Sequence, residues 1–264
     1  MKLRLSPGTA LVTGASSGIG RAFALGLAAR GLDLVVVARR KDRLEELAAE
    51  VQSAHGRTVE VLPADLVDEA QRATVEARLA DAGRPIDVLV NSAGFGTQGL
   101  FAELPVDDED QEIRLNVLAL VRLTHAALPG MIERRRGAVV NVTSLAGHQP
   151  IPKWATYTGT KAFVTTFTRA VAAEVHRSGV HVLLVIPGFT STGFQEVSQF
   201  DRRTIPGPAW MTAEAVAEHA LADLERGRKE SIPGVHNRVV AVLTWLSPWP
   251  LTRRVLKVGT RKMM

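Results

Sequence analysis

Short apolar runs alternate with longer segments of helical periodicity along most of this chain, and this alternation restricts the fold more than any other feature. The apolar runs are continuous, which is typical of parallel strands covered on both faces. The predicted strands are residues 9–13, 32–38, 58–62, 87–91, 137–142 and 180–186. The predicted helices are residues 18–30, 41–55, 68–82, 107–135 and 154–178. Repeated strand–helix–strand units form right-handed crossovers, so the pattern predicts an α/β fold with a doubly wound parallel sheet in three αβα layers.

Residues that favour helix ends lie at the predicted boundaries. Asp68 and Asp107 precede helical segments and are predicted N-caps, each with further acid in the first turn. Gly31, Gly83 and Gly179 lie where helices should end, as is common for glycine.

The composition is that of an ordinary globular protein, with 46% hydrophobic and 22% charged residues. No linker, internal repeat or low-complexity tract is visible, so residues 1–234 are predicted to form a single domain. The absence of cysteine excludes a disulfide framework, a thiolate nucleophile and a cysteine-based zinc site. No histidine motif for a catalytic metal is present either, so none is expected. No signal peptide is visible and no apolar run approaches the ~20 residues of a membrane span, which predicts a cytoplasmic protein.

The net charge of +5 is concentrated in the C-terminal part of the chain. Residues 231–264 contain six basic side chains and no acidic one, whereas residues 1–230 hold 26 basic and 27 acidic residues. The body therefore has no positive excess, and nucleic-acid binding is not expected. Trp245 and Trp249 lie in an uncharged stretch of the extension, residues 235–264. This extension is predicted to pack on the same domain or on a neighbouring subunit, with peripheral membrane contact as the alternative.

A glycine-rich segment follows the first predicted strand and opens the first predicted helix. Glycines at this place allow a tight turn, close approach of a phosphate group to backbone N–H groups and close packing of the helix on the strand. The helix N-terminus behind the loop favours an anion. The segment therefore predicts a dinucleotide phosphate site at Gly14, Ser16, Ser17, Gly18, Ile19 and Gly20.

Tyr157 is the only tyrosine among 264 residues, although the chain contains eight Phe and four Trp. Lys161 follows it by four residues in a predicted helix, so both side chains lie on one face. An ammonium beside a phenol favours the phenolate and lowers a pKa that is ordinarily about 10. The pair is therefore a candidate proton donor or acceptor, although an exposed helix surface would also accommodate it.

These motifs together resemble the short-chain dehydrogenase/reductase family. The glycine spacing is G-x-x-x-G-x-G and the tyrosine–lysine spacing is Y-x-x-x-K. Further motifs follow in the family's order: Asp65-Leu66, Asn91-Ser92-Ala93-Gly94, Asn116, Ser144 and Pro187-Gly188-Phe189-Thr190-Ser191-Thr192. The family usually has Asn-Asn-Ala-Gly where this chain has Asn91-Ser92-Ala93-Gly94. The resemblance covers roughly residues 9–224 and implies a Rossmann-like, NAD(P)-dependent oxidoreductase.

The resemblance also implies roles for single residues. Tyr157 is expected to exchange a proton with the substrate oxygen, while Lys161 binds the nicotinamide ribose and lowers the pKa of Tyr157. Ser144 is expected to donate a hydrogen bond to the substrate oxygen, and Asn116 to hold a water that links Lys161 to solvent. The implied cofactor-binding residues are Gly14, Ser16, Ser17, Gly18, Ile19, Gly20, Arg39, Arg40, Asp65, Leu66, Asn91, Ala93, Gly94, Tyr157, Lys161, Pro187, Gly188, Thr190 and Thr192.

The end of the second predicted strand indicates which dinucleotide is bound. Enzymes of this architecture that use NAD place a carboxylate there against the ribose 2′-hydroxyl. This chain has Ala38 followed by Arg39, Arg40 and Lys41, and a guanidinium can bind a 2′-phosphate bidentately. NADP(H) is therefore the predicted cofactor, with Arg39 as the main phosphate contact and Arg40 as the second.

Apolar and aromatic residues dominate the loops that are predicted to line the substrate pocket. They are Phe95, Leu145, His148, Ile151, Trp154, Phe189, Phe194, Val197 and Phe200. This lining favours a hydrophobic ketone or aldehyde, such as a 3-oxoacyl chain, a steroid or another lipid-derived carbonyl compound, unless several of these side chains fill the core instead. Residues 193–210 are predicted to form a lid over the pocket.

Three functions stay open on the sequence alone. They are an NADPH-dependent carbonyl reductase, the same chemistry run as an NADP-dependent alcohol dehydrogenase, and a non-catalytic NADP(H)-binding protein. The presence of Asn116, Ser144, Tyr157 and Lys161 disfavours the third, because binding alone needs no proton relay. A homodimer or homotetramer is expected, with contacts through the long helices at residues 107–135 and 154–178.

Overall fold

The computed structural model describes residue 5, residues 7–194, residue 198 and residues 207–246. Its strands are β1 (Thr9–Thr13), β2 (Asp33–Ala38), β3 (Val59–Pro63), β4 (Val88–Asn91), β5 (Gly137–Val142), β6 (Val180–Val185), β7 (Thr190–Ser191), β8 (Met211–Thr212) and β9 (Glu230–Ser231). Seven of them form a parallel sheet in the order β3-β2-β1-β4-β5-β6-β9. The chain leaves β1 in one direction and crosses to β4 in the other, which confirms the predicted doubly wound α/β fold.

Helices cover both faces of this sheet. They are α1 (Gly18–Ala29), α2 (Lys41–His55), α3 (Glu69–Ala80), α4 (Val106–Ile113), α5 (Leu120–Glu133), α6 (Ala155–Glu174), α7 (Ala213–Glu225) and α8 (Val235–Leu246). One apolar cluster joins the sheet to α1, α2 and α7, and a second joins it to α3, α5 and α6. In β2, Leu34 and Val36 enter the first cluster while Val35 and Val37 enter the second. Burial on both faces is therefore the reason that the strands are continuous apolar runs.

The long helix predicted at residues 107–135 is a continuous helical stretch that contains a π-helical segment, Arg114–Ala119, between α4 and α5. The N-cap prediction at Asp107 is wrong, because Pro105 is the N-cap residue and Asp107 lies in the first turn, where its carboxylate still faces the positive end of the helix. The prediction at Asp68 is confirmed, since its side chain accepts a hydrogen bond from the Gln71 amide at 2.8 Å.

The stretch Val106–Glu133 is long and apolar enough to cross a membrane by length and composition, although no such run was expected from the sequence. In its most apolar 18-residue window, 39% of the residues are buried inside the protein. Leu123, Ala127 and Met131 pack against the sheet, whereas Ile113, Leu118 and Ile132 are exposed.

Helix α7 and strand β9 were not predicted from the sequence. Strand β9 has two residues, too few to produce an apolar period, and it joins the sheet by pairing with β6. The buried carboxylate of Asp223 in α7 accepts a hydrogen bond from the Ser231 hydroxyl at 2.9 Å and lies 3.3 Å from the Arg228 guanidinium. A tertiary polar contact, rather than a local sequence signal, therefore holds this edge strand.

The C-terminal extension begins as helix α8. Asn237 and Ala241 are buried against the domain, and Gln149 Nε2 donates a hydrogen bond to the Thr244 carbonyl at 2.6 Å. Val239 and Leu243 are exposed on its outer side. Other predicted features lie outside the described residues: most of the lid with Val197 and Phe200, the Trp245 side chain, Trp249 and the basic residues after it.

Candidate active site

The phosphate loop between β1 and α1 is shaped by close backbone contacts. Gly14 has φ +67°, and a Cβ there would lie 2.9 Å from the Ala93 backbone. A Cβ on Gly20 would lie 2.4 Å from the Gly14 carbonyl oxygen, so both positions require glycine. Ser17 is the N-cap of α1, but its hydroxyl makes no capping hydrogen bond. The loop and the start of α1 therefore fit a pyrophosphate, which the Ser17 hydroxyl and the first-turn N–H groups could bind.

A basic cleft of ≈ 440 Å³ lies beside this loop. Its lining residues are Ser16, Ser17, Gly18, Arg21, Arg40, Arg43 and Glu46. Arg40 Nη2 donates a hydrogen bond to Ser16 Oγ at 3.2 Å, whereas Arg39 is mostly exposed and lies 4.0 Å from Asp65 Oδ2. Successive side chains of extended backbone point to opposite sides, so the two arginines diverge. The structure places Arg40, and not Arg39, against the phosphate loop.

Three of the predicted catalytic side chains meet at the carboxyl end of β5. Tyr157 and Lys161 lie one turn apart on α6, and Lys161 Nζ is 5.6 Å from the centre of the Tyr157 ring. Ser144 follows β5, and its hydroxyl shares a hydrogen bond with the Tyr157 phenol. Lys161 is only 7% exposed, and its Nζ donates to the Val142 carbonyl at 3.3 Å. The Tyr157 phenol, the Lys161 ammonium and the Ser144 hydroxyl therefore lie close together at the end of β5.

The pKa values of this group differ from the sequence expectation. Burial raises the pKa of Tyr157 to about 12, although the hydrogen bond with Ser144 acts in the opposite direction. Burial also lowers the pKa of Lys161 to about 8. The expected lowering of the Tyr157 pKa is thus not found, because desolvation of the phenol outweighs the Ser144 hydrogen bond and the charge of Glu112 acts in the same direction as desolvation. At neutral pH the phenol is protonated and Lys161 is mostly an ammonium.

Asn116 lies in the π-helical segment and is 1% exposed. Its Oδ1 accepts a hydrogen bond from the Phe95 amide at 3.1 Å, and its Nδ2 donates to the Phe95 carbonyl at 2.8 Å and to Thr160 Oγ1 at 3.2 Å. A Cβ on Gly94 would lie 2.8 Å from Asn116 Oδ1 and 3.5 Å from Lys161 Nζ. The fold therefore brings Asn116 to the same centre, and such π segments are common at functional sites.

The loop after β6 closes the other side of the cleft. The Pro187 carbonyl accepts a hydrogen bond from the Leu145 amide at 3.0 Å, beside Ser144. A Cβ on Gly18 would lie 3.0 Å from the Thr192 side chain, so this loop reaches the start of α1. Gly188 packs against Asn237 of α8, and Thr190 is buried. These contacts place both ends of the predicted cofactor site along one edge of the sheet.

Two predicted cofactor residues have side chains that point elsewhere. Asn91 is buried and donates hydrogen bonds to Thr124 Oγ1 at 3.1 Å and to Asn141 Oδ1 at 2.9 Å, which ties β4 to β5 and α5. Leu66 is buried in the apolar cluster under the sheet. Asn91 is the last residue of β4 and Leu66 follows β3, and both side chains make their contacts in the interior.

Aromatic rings form a wall beside the phenol. Trp154 lies edge-on to Tyr157 at 5.5 Å, Phe194 lies 5.3 Å from Tyr157, and Trp154 stacks on Phe194 at 6.2 Å between ring centres. Phe189 contacts Trp210 at 5.5 Å. Trp154 and Phe194 therefore pack against the Tyr157 ring, and Phe189 and Trp210 form a second aromatic contact.

The predicted pocket residue His148 is placed differently. It is half-buried, and the charges that act on it are those of Arg169 on α6 and Glu230 on β9. Burial lowers the pKa of His148, so it is neutral at neutral pH. Its charged neighbours belong to the β9 side of the sheet and not to the group around Tyr157.

A wider cleft of ≈ 610 Å³ lies at the opposite edge of the sheet, at the amino ends of β1 and β2. Its lining includes Thr9, Asp33, Glu60 and Arg78. Ligands of open parallel sheets bind outside the carboxyl ends of the strands, where Tyr157 and the phosphate loop lie. The functional site is therefore the cleft at the carboxyl edge.

A phosphate loop at the first strand and a phenol, ammonium and hydroxyl at the fifth define a nicotinamide-dependent oxidoreductase of the Rossmann type. The chain belongs to the short-chain dehydrogenase/reductase family, since the family model for short chain dehydrogenase matches residues 8–202. The family acts on CH–OH and C=O groups, and this protein is an oxidoreductase of that kind.

Known relatives support this assignment. The very-long-chain 3-oxoacyl-CoA reductase of Anas platyrhynchos is 35% identical over 209 residues, which are 76% of this chain and 67% of that protein. The serine 3-dehydrogenase of Rhizobium radiobacter is 38% identical over 189 residues, covering 71% and 74%. A short-chain dehydrogenase from Sphingobium yanoikuyae, solved in complex with NADPH, has a TM-score of 0.83 and 36% identity, covering 96% of both chains. Against a related fungal reductase the chain spans 59% of the length.

The sequence reading missed one group of polar residues around Asn116. Glu112 is fully buried and accepts hydrogen bonds from Thr97, and Thr160 accepts one from Asn116. A signal was present, because Glu112 precedes Asn116 by four residues on one helix, the same spacing as Tyr157 and Lys161.

Proposed function

We propose that this protein is an NADPH-dependent reductase of a hydrophobic ketone or aldehyde, with Tyr157 as the general acid. The observation that carries the proposal is the meeting of the Tyr157 phenol, the Ser144 hydroxyl and the Lys161 ammonium beneath the aromatic rings of Trp154 and Phe194. A ketone reduction needs a proton donor and a stabiliser of negative charge at the same oxygen, and this group supplies both without a metal.

The residues of the site divide the reduction into defined roles. NADPH, when bound, supplies a hydride to the carbonyl carbon. Tyr157 donates its proton to the carbonyl oxygen, so that the C=O group becomes CH–OH. Ser144 donates a hydrogen bond to the same oxygen and holds it at the phenol. The Lys161 ammonium is proposed to stabilise the phenolate that remains, and Asn116, which lies with Lys161 beside Gly94, to hold a water that returns a proton to the site.

The protonation states at neutral pH are those with which the reductive direction begins. With a pKa raised to about 12, Tyr157 is protonated at neutral pH and is ready to donate. Lys161 is charged on the acid side of its pKa of about 8. The oxidative direction would require the phenolate at the start, which burial disfavours.

Four arginines support NADP(H) as the cofactor. Arg21, Arg40 and Arg43 line the cleft beside Ser16, and Arg39 lies near Asp65 at the end of β3. The place of the carboxylate that would repel a 2′-phosphate is taken by Ala38. A relative of similar structure binds NADPH.

The aromatic wall supports a hydrophobic substrate. Trp154 and Phe194 pack against the Tyr157 ring and are proposed to present ring surface to the substrate. Each buried methylene of a substrate contributes about 0.8 kcal/mol, so a long acyl chain or a bulky ring system gains most from such a surface. The relative that is named a 3-oxoacyl-CoA reductase fits this class, whereas the relative named a serine dehydrogenase acts on a small polar compound.

A panel of carbonyl compounds tests the proposed function. We expect kcat/KM, measured as loss of NADPH absorbance, to be at least about tenfold higher for medium- and long-chain 3-oxoacyl thioesters or bulky cyclic ketones than for short polar oxo compounds. The oxidation of serine with NADP⁺ is the comparison reaction. Faster turnover of serine than of every hydrophobic carbonyl would overturn the substrate class but not the cofactor.

The extension is proposed to contact protein and not lipid. Asn237, Ala241 and Thr244 attach α8 to the domain, which supports packing over a free membrane anchor. A homodimer or homotetramer remains part of this proposal.

Liposome sedimentation distinguishes the two roles of the extension. We expect the full-length chain to stay in the supernatant with vesicles of anionic lipid, like a variant truncated after Leu246 that keeps α8 and lacks the basic residues beyond it. The physical reason is that α8 already buries part of its surface on the domain. If the 264-residue chain pelleted with the vesicles and the truncated variant did not, and if high salt abolished the pelleting, the basic segment would be shown to bind an anionic membrane instead.

A further inference from the structure

Glu112 is a buried carboxyl group next to the catalytic residues. It lies at the end of α4, is 0% exposed, and accepts hydrogen bonds from the Thr97 amide at 2.9 Å and the Thr97 hydroxyl at 2.8 Å. Its other oxygen lies 3.4 Å from Asn116 Nδ2. A buried carboxyl is costly to fold unless it is hydrogen-bonded or paired with a charge, so its presence here calls for a physical reason.

The contacts of Glu112 lead to the catalytic lysine. Asn116 donates to Glu112 and to Thr160, the residue directly before Lys161. Asn116 Oδ1 and Lys161 Nζ both lie within 3.5 Å of the position that a Gly94 Cβ would take. Asn116 is therefore in contact with the Glu112 carboxyl group and lies near the Lys161 ammonium.

The charges around Glu112 are few. On the described elements packed against it, the titratable groups that face it are Glu109 on its own helix and Lys161 and Tyr157 on α6. Glu109 is also buried, and it accepts a hydrogen bond from the Thr156 hydroxyl. Lys161 is the only cation in this set, so it is the partner that a charged Glu112 can stabilise.

We propose that Glu112 is a positioning residue of this site, whose buried carboxylate keeps Lys161 in the charged form that Tyr157 requires. The catalytic meaning of this inference rests on the proposed function of Tyr157. Above neutral pH the carboxylate supplies the negative charge that retains the Lys161 proton. Without that charge, desolvation alone acts on Lys161, and its ammonium is lost at lower pH.

The electrostatic directions agree with this role. Burial raises the pKa of Glu112 to about 7, while the two hydrogen bonds from Thr97 lower it. The charge of Glu112 raises the pKa of Lys161 and also raises the pKa of Tyr157. Since the pKa of Lys161 is about 8, Glu112 is ionised over the range in which Lys161 loses its proton.

The variant Glu112→Gln removes the charge and keeps the shape and an acceptor oxygen for Thr97. We expect the alkaline limb of the pH–kcat profile to move to lower pH by about one unit, as for the loss of one charge from a buried site with an effective dielectric constant of about 20. The variant Glu112→Asp keeps the charge and shortens the side chain, so its limb should stay close to that of the wild type. A shift of equal size in both variants would show a packing effect and overturn the inference.

The single tyrosine provides a second measurement that needs neither cofactor nor turnover. Tyrosinate absorbance reports only Tyr157, and the Tyr157→Phe variant supplies the blank. Lys161 is already neutral at the pH at which Tyr157 ionises, so the tyrosinate midpoint reports the charge of Glu112 directly. We expect Glu112→Gln to move this midpoint to lower pH than in the wild type, with circular dichroism showing that both proteins stay folded at each pH used. An unchanged pH–kcat profile in Glu112→Gln would overturn the inference alone. Unimpaired turnover in Tyr157→Phe would instead overturn the proposed function.

Discussion

Replacing Tyr157 by phenylalanine is expected to lower kcat by at least about 10²-fold, the usual contribution of a positioned general acid. The substitution removes one oxygen and keeps the ring, so the contacts with Trp154 and Phe194 persist. Without the phenol, the proton donor that shares a hydrogen bond with Ser144 is lost, and the Lys161 ammonium donates to the Val142 carbonyl instead. Single-turnover reduction with saturating NADPH measures the loss on the chemical step and separates it from cofactor binding.

Binding measurements complete this test. The NADPH affinity of Tyr157→Phe, followed by tryptophan fluorescence, should stay within a few-fold of the wild type, because the proposed phosphate contacts lie in the glycine loop and at Arg40. The variant Ser144→Ala is the comparison, since it leaves the acid but removes the hydroxyl that holds the oxygen, and we expect a smaller loss of kcat. Turnover near the wild-type level in Tyr157→Phe would refute the acid role. A loss of NADPH affinity as large as the loss of kcat would indicate a folding defect instead.

The second large effect is expected in cofactor choice. The wild type should have a kcat/KM for NADPH well above that for NADH, and Arg40→Ala should lower this ratio by about ten- to a hundredfold. The reason is that a charge-assisted hydrogen bond to a phosphate contributes about 1.5–3 kcal/mol, and NADH has no 2′-phosphate to lose. The NADH reaction itself should therefore change little.

Two neighbouring arginines provide matched controls for this measurement. Arg43 lines the same cleft, but its guanidinium is engaged by Glu46 at 2.9 Å, so Arg43→Ala should have a smaller effect than Arg40→Ala. Arg39 directly follows β2 and lies near Asp65. Arg39→Asp places a carboxylate there and should also lower the NADPH-to-NADH ratio of kcat/KM, because the carboxylate repels the 2′-phosphate. A ratio that stays the same in both Arg39→Asp and Arg40→Ala would show that the cofactor assignment is wrong.

Much of the fold was predictable because its information is local. The six long strands are apolar runs and five helices have a clear period, and the structure moves their ends by a few residues only. The two-residue strands β7, β8 and β9 are too short to show such a period. They are held by strand pairing and by tertiary contacts such as the hydrogen bond that the Ser231 hydroxyl donates to Asp223. Local patterns therefore predicted the layers but not the edge of the sheet.

The candidate site was predictable to a different degree. The spacing of Tyr157 and Lys161 on one helix placed them together without any tertiary information, and Ser144 and Asn116 followed from the family resemblance. The direction of the Tyr157 pKa shift was not predictable in this way, because it depends on how deeply the fold buries the phenol. The same holds for Asn91, whose motif position is right but whose side chain faces the interior.

The sequence alone determined the alternating layers, the glycine loop and the family, because these depend on residue types at short, regular spacings along the chain. Only the tertiary structure decided that Arg40, and not Arg39, lines the basic cleft beside the phosphate loop. It also decided how α8 attaches to the domain and that Glu112 lies near Asn116 and Lys161. The physical reason is that desolvation, charge pairing and the direction of a side chain arise from neighbours distant in sequence. Those neighbours meet only when the sheet and its helices have assembled.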